Sequence, residues 1–223
     1  MDALDQLVRA GAGLLVRVDD ILARSGAPDG DPVWPLLRRL RALPGEAVRA
    51  VAAFDPAPLA TAGSALHDLR PGYARGHAAV ARGVDWTGGG ADSFEAHRTA
   101  LATHLSDDPD GLTGRLAATA TYAEAVAEWL AGSRATLART LATVLTCAEA
   151  VTLTAAAPAG AGPDSDDALA AARVGTVLLQ AVADVYESGE ALLRRHASGL
   201  AEVPYRAPAD PPPGHHTDLR LPL

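Results

Sequence analysis

The sequence contains no lysine and no asparagine, one isoleucine, one cysteine and nine aromatic residues in 223. All 19 basic side chains are therefore arginine. Without lysine there is no amine for a Schiff base, no phosphate-loop lysine and no Ser–Lys dyad. Without asparagine there is no acceptor for N-linked glycosylation. Cys147 has no partner within the chain, so cysteine usage gives no sign of oxidative folding. β-branched and aromatic residues are too scarce to favour sheet.

What is abundant points the other way. The chain has 50 alanines and 30 leucines, the residues that head the helix ranking, so an all-α fold is expected. A net charge of −8 and a pI near 5.3 leave no basic stripe for nucleic acid and no general attraction to anionic lipid. The opening Met-Asp-Ala-Leu-Asp lacks the positive charge and apolar run of a secretory signal. Arg38 and Arg39 lie too far along the chain for a twin-arginine signal. No window reads as the roughly 20 mostly apolar residues of a membrane helix. The expectation is a soluble, acidic, cytoplasmic helical protein.

Turn residues divide the chain. Ser25 to Pro32 ends a first helical segment, and Pro56-Ala-Pro58 and Arg70-Pro-Gly72 mark further breaks. Residues 83–92 form a Gly-rich turn. Asp107-Asp-Pro-Asp-Gly111 reads as a short loop or as a helix restart with Pro109 in its first turn. Ala155 to Asp167 reads as a linker whose Asp164, Asp166 and Asp167 favour the next helix N-terminus. Four parts follow: N-terminal helices over 1–55 packing on the bundle, a helical hairpin over 56–155, a linker and C-terminal helix over 156–202, and a disordered Pro-rich tail over 203–223.

Periodicity supplies the packing faces. Leu4, Leu7, Gly11, Leu14, Val18 and Ile21 alternate steps of three and four. After Gly111 the same alternation runs through Leu116, Ala120, Ala123, Ala127, Leu130, Arg134, Leu137, Leu141, Val144, Ala148 and Val151, with only Arg134 polar. Held without proline or clustered glycine, this repeat predicts one helix of about 40 residues, about 60 Å long, packed along a partner in a rod-like molecule. Val174, Leu178, Ala181, Val185 and Leu192 define one face of a last helix between Asp166 and His196.

Catalytic constellations are absent: no G-x-S-x-G, no H-E-x-x-H and no C-x-x-C. His97 and His104 share a helix face but lack a carboxylate at ligand spacing, so they read as solvated or partly packed rather than as a metal site. His215-His216 lies in the Pro-rich tail, which seldom builds a specific site. Asp164-Ser-Asp166-Asp167 lacks the glycine and distal glutamate of a calcium loop. Cys147, expected in mid-helix, reads as an inert packing residue. No enzyme, cofactor or metal is expected.

The turn at Val84-Asp-Trp86-Thr-Gly88-Gly-Gly90 is more informative. An indole precedes a flexible glycine run between two helices, where a chain reversal needs both backbone freedom and a bulky anchor. Asp92 or Ser93 can cap the following helix, and Phe94 is expected to point back into the junction. Trp86-Thr87-Gly88 followed by Ala91-Asp-Ser-Phe94, between Ala/Leu-rich helices, resembles the WXG family of type VII (ESX) secretion proteins over roughly residues 60–155.

That resemblance implies an elongated antiparallel hairpin or bundle, here with additional N- and C-terminal helices. It implies a protein partner, either a second copy or another WXG-like chain, a secretion ATPase, and leaderless export as a substrate or chaperone-like partner. Tyr186-Glu-Ser-Gly-Glu190 matches the family's Y-x-x-x-D/E export signal, and its spacing puts both side chains on one helix face. The bland alternative packs Tyr186 in the bundle and leaves Glu190 solvated. The chain departs from the family in its extra helices, in the position of Tyr186 on a separate helix, and in the interruption at Asp107-Asp108-Pro109. A cytoplasmic coiled-coil scaffold with no secretion role is the competing reading.

Overall fold

The computed structural model describes residues 2–85, 87–155 and 165–209. They are all-α, with no strand among the described residues: α1 (Ala3–Ala10), α2 (Ala12–Arg24), α3 (Val33–Leu40), α4 (Pro44–Ala52), α5 (Ala57–Ala81), α6 (Gly89–Leu105), α7 (Leu112–Leu145), α8 (Ala148–Thr154), α9 (Ser165–His196) and a 3-10 turn, Ala197–Leu200. They divide into two units. The first joins Met1–Ala60 to Ala123–Arg195, and the second joins Thr61–Tyr122 to His196–Leu223.

The first unit has a conventional core. Leu15, Val18, Val33, Val48, Leu137, Leu141, Leu153, Leu178, Leu179 and Val182 are each at most 1% exposed. They come from six helices, so the N-terminal stripe and the faces of α7 and α9 bury one another. Each such side chain gains about 1.5–3 kcal/mol from leaving water. Asp2 starts α1 with a capping box, its carboxylate accepting the Asp5 N–H while Asp5 accepts the Asp2 N–H, both at 3.1 Å.

The seam of α7 follows the repeat and then leaves it. Ala120, Ala123, Ala127, Leu130, Arg134, Leu137, Leu141 and Val144 are all buried. Ala148 and Val151 are exposed instead, and burial shifts to Ala150 and Leu153. The single 40-residue helix expected from the repeat is therefore corrected to α7 and α8, which meet at a bend of 65°. Thr146 bonds its hydroxyl back to the carbonyls of Ala142 and Thr143, and the Cys147 N–H bonds to Val144 rather than one residue further back. Such back-bonding competes with helix propagation. Cys147 is consequently the N-cap of α8, half-buried, its sulfur accepting the Ala150 N–H at 3.4 Å. It is not a mid-helix residue.

Two other expectations change. Helix α5 runs through Arg70-Pro71-Gly72 rather than breaking there. Pro71 is exposed, where the lost hydrogen bond leaves a carbonyl open to water. Helix α9 contains an 18-residue window of mean hydropathy 1.5, long and apolar enough to cross a membrane, where the sequence reading found none. That window is 56% buried inside the protein, as the central helix of a core would be.

Two buried ionic groups organise the first unit. Arg134, 6% exposed, donates to Asp2 at 2.6 Å, to Asp5 at 2.8 Å, to the Phe54 carbonyl at 2.9 Å and to the Ala52 carbonyl. The polar break in the seam thus ties α7 to α1 and to the end of α4. Hydrogen bonding to this guanidinium lowers the Asp2 pKa to about 2 and lowers Asp5 as well. Asp19, 8% exposed, accepts the Gly45 N–H at 2.7 Å and Arg49 at 3.1 Å. A Cβ on Gly45 would fall 2.5 Å from the Asp19 carboxylate, so only glycine permits this approach. Burial nonetheless pushes the Asp19 carboxyl above its ordinary pKa, against the pull of both donors.

Candidate interaction surface

The second unit is built differently. Along α5, the half-buried or buried residues are Leu59, Gly63, Leu66, His67, Arg70, His77 and Val80. Around the helix from them, Ala62, Ala65, Leu69, Gly72, Gly76 and Ala79 alternate steps of three and four, and every one is exposed. The small uncharged stripe of α5 therefore faces solvent, while Leu59, Leu66 and Val80 are half-buried together with His67, Arg70 and His77. Asp68 and Arg75 flank the stripe and are also exposed.

Intrinsic preference does not account for this helix. Gly63, Gly72 and Gly76 each disfavour helix by about 1 kcal/mol relative to alanine, and Pro71 by about 3 kcal/mol. Helical stability in proteins comes mainly from packing an amphipathic face, and here the regular small-residue face is unpacked. Small side chains at a 3–4 spacing allow a second helix to approach closely.

At the following turn, Gly88 takes φ +107°, a conformation closed to L side chains, and serves as the N-cap of α6. Its carbonyl accepts the N–H groups of Ala91 and Asp92 at 2.8 and 3.1 Å. Helix α6 thus starts at Gly89, three residues before the expected Asp92, and the glycine run forms its first turn. Trp86 lies outside the described residues. Phe94 is 45% exposed on α6. The link between α5 and α6 that sequence reasoning missed is Arg98, which donates to the Val80 carbonyl at 2.8 Å and is paired with Glu95.

Tyr186 and Glu190 lie one turn apart on α9, in the first unit, and both are exposed; Tyr186 is 51% accessible. The alternative that Tyr186 is packed in the bundle does not describe it. Glu190 pairs loosely with Arg194 at 3.7 Å, and neighbouring Glu187 pairs with Arg39 at 2.8 Å.

The remaining candidates are accounted for locally. His97 places Nδ1 2.9 Å from the Ser93 carbonyl, and His104 meets the Tyr205 ring edge-on at 5.5 Å. Among the described residues no three His, Cys, Asp or Glu side chains are grouped to hold a metal. Asp166 and Asp167 occupy the first turn of α9, and Asp167 pairs with Arg17 at 3.1 Å. Asp164, His215 and His216 lie outside the described residues. No protein-family model, no curated protein and no solved structure matches the chain.

Proposed function

We propose that this is a non-enzymatic helical protein acting by protein–protein association, as a WXG-like substrate or partner in type VII secretion. The observation that carries the reading is the solvent-facing stripe of α5. A 25-residue helix that turns a regular, uncharged, small-residue face to water is arranged to receive a partner helix. The Trp86-Thr87-Gly88 turn and the exposed Tyr186–Glu190 pair are the features that connect this association to secretion. The partner is then a second copy or another WXG-like chain, with a secretion ATPase as the reader of Tyr186 and Glu190. No catalytic group or cofactor enters this role.

The break at Ser106–Gly111 favours a second reading, since the family keeps that arm continuous: a cytoplasmic coiled-coil scaffold with no part in secretion. Export separates the two. In strains with and without the secretion ATPase, the protein is expected in culture filtrate only when the ATPase is present, and Tyr186→Ala is expected to abolish that fraction. The same distribution in both strains would favour the scaffold.

A further inference from the structure

Within the second unit, Val80 and Val84, Phe94 and Leu101, and Tyr205 line a cleft of about 320 Å³. Val84, Phe94, Leu101 and Tyr205 are 59%, 45%, 38% and 44% exposed. Four large apolar side chains from three separate stretches of chain thus converge on one wet surface, the kind of patch that marks a binding groove. The volume lies at the lower end of small-molecule sites, which are mostly apolar with a few polar groups fixing orientation.

Two guanidinium groups border the cleft, and they differ. Arg98 is committed: Nε and Nη2 bond to Glu95, and Nη1 bonds to the Val80 carbonyl. Its charge is neutralised and all three nitrogens are used. Arg82 is exposed and has no hydrogen bond or ion pair among the described residues. Its planar donors match a carboxylate.

We propose that this cleft binds a hydrophobic monocarboxylate, with its alkyl chain against Val80, Phe94 and Leu101 and its carboxylate on Arg82. At about 30 Å³ per water-sized group, the space holds about ten such groups, the size of an eight-carbon chain with its carboxylate. A neutral amphiphile of equal length fills the same apolar surface but leaves Arg82 unpaired, so the site prefers the anion. This assignment does not rest on any role in secretion, although Ala79 at the end of the α5 stripe also lines the cleft.

Titration calorimetry of the full chain with sodium octanoate and with octan-1-ol tests it. One saturable site is expected, with octanoate tighter than octanol. Arg82→Gln is expected to weaken octanoate about tenfold, the loss of one charged hydrogen-bonding partner, while octanol binding stays unchanged and shows the cleft intact. Leu101→Gln, at a surface position, is expected to weaken both ligands. Non-saturable binding of either ligand, equal affinity for acid and alcohol, or octanoate binding indifferent to Arg82→Gln would each overturn the proposal.

Discussion

Arg134 Nε lies 2.6 Å from Asp2 Oδ2, which joins the seam of α7 to the residue that caps α1. The same guanidinium reaches Asp5 and the carbonyls of Ala52, at the end of α4, and Phe54, just beyond it. Replacing Arg134 by alanine leaves those acceptors without their donor. The expected loss is about 3 kcal/mol, the lower end for breaking a buried ion pair, because the two carboxylates are partly exposed and can rehydrate. Urea unfolding should show a lower midpoint with an unchanged slope.

The two ionic sites impose opposite pH dependences. Asp2 has its folded pKa lowered to about 2, so its stabilisation is present above the unfolded value of 3.8 and is lost as pH falls through 2. Asp19 has its folded pKa raised, so its contribution is present below 3.8 and is lost as pH rises through the folded value. Asp19→Asn removes that second dependence. The stability of the variant relative to the wild type is therefore expected to improve from pH 3 to pH 7, measured by urea unfolding at both. A relative loss over that range would mean that Arg49 outweighs burial.

Leucines on the two kinds of face should respond differently. Leu141 is fully buried in the first unit, and Leu141→Ala is expected to destabilise by about 2–5 kcal/mol. Leu69 is 51% exposed on the α5 stripe, and Leu69→Ala should change the stability of the isolated chain by no more than about 0.5 kcal/mol. A large effect at Leu69 in the isolated chain would mean that the stripe is already covered.

Gly88→Ala forces a side chain into φ +107° and should cost about 1–3 kcal/mol. The damage is expected to be local. Amide exchange should accelerate at Ala91 and Asp92, whose N–H groups bond to the Gly88 carbonyl, while the first unit keeps its protection.

Much of the helical framework was legible because burial in a helix leaves a 3–4 spacing. The stripe from Leu14 to Ile21, the seam from Ala120 to Val144 and the face of α9 all emerge from that spacing. Arg134 was visible as an anomaly, but its partners lie 80 to 132 residues away, beyond any local pattern. The break before α8 was hidden because Ala148 and Val151 continue the repeat although neither is buried. Proline at position 71 suggested a stop that an exposed helix surface tolerates. The α5 stripe has the same spacing as the buried seams. Periodicity identifies a face but not whether anything covers it, and both units combine stretches far apart in sequence.

The central claim is that the outward stripe of α5 meets another protein. A photo-crosslinking residue at Leu69, on the stripe, is compared in the source cells with one at His77, on the inward face. A discrete heavier species from position 69 that is missing from position 77 is the predicted result. No species at position 69, or the same species from both positions, would contradict it.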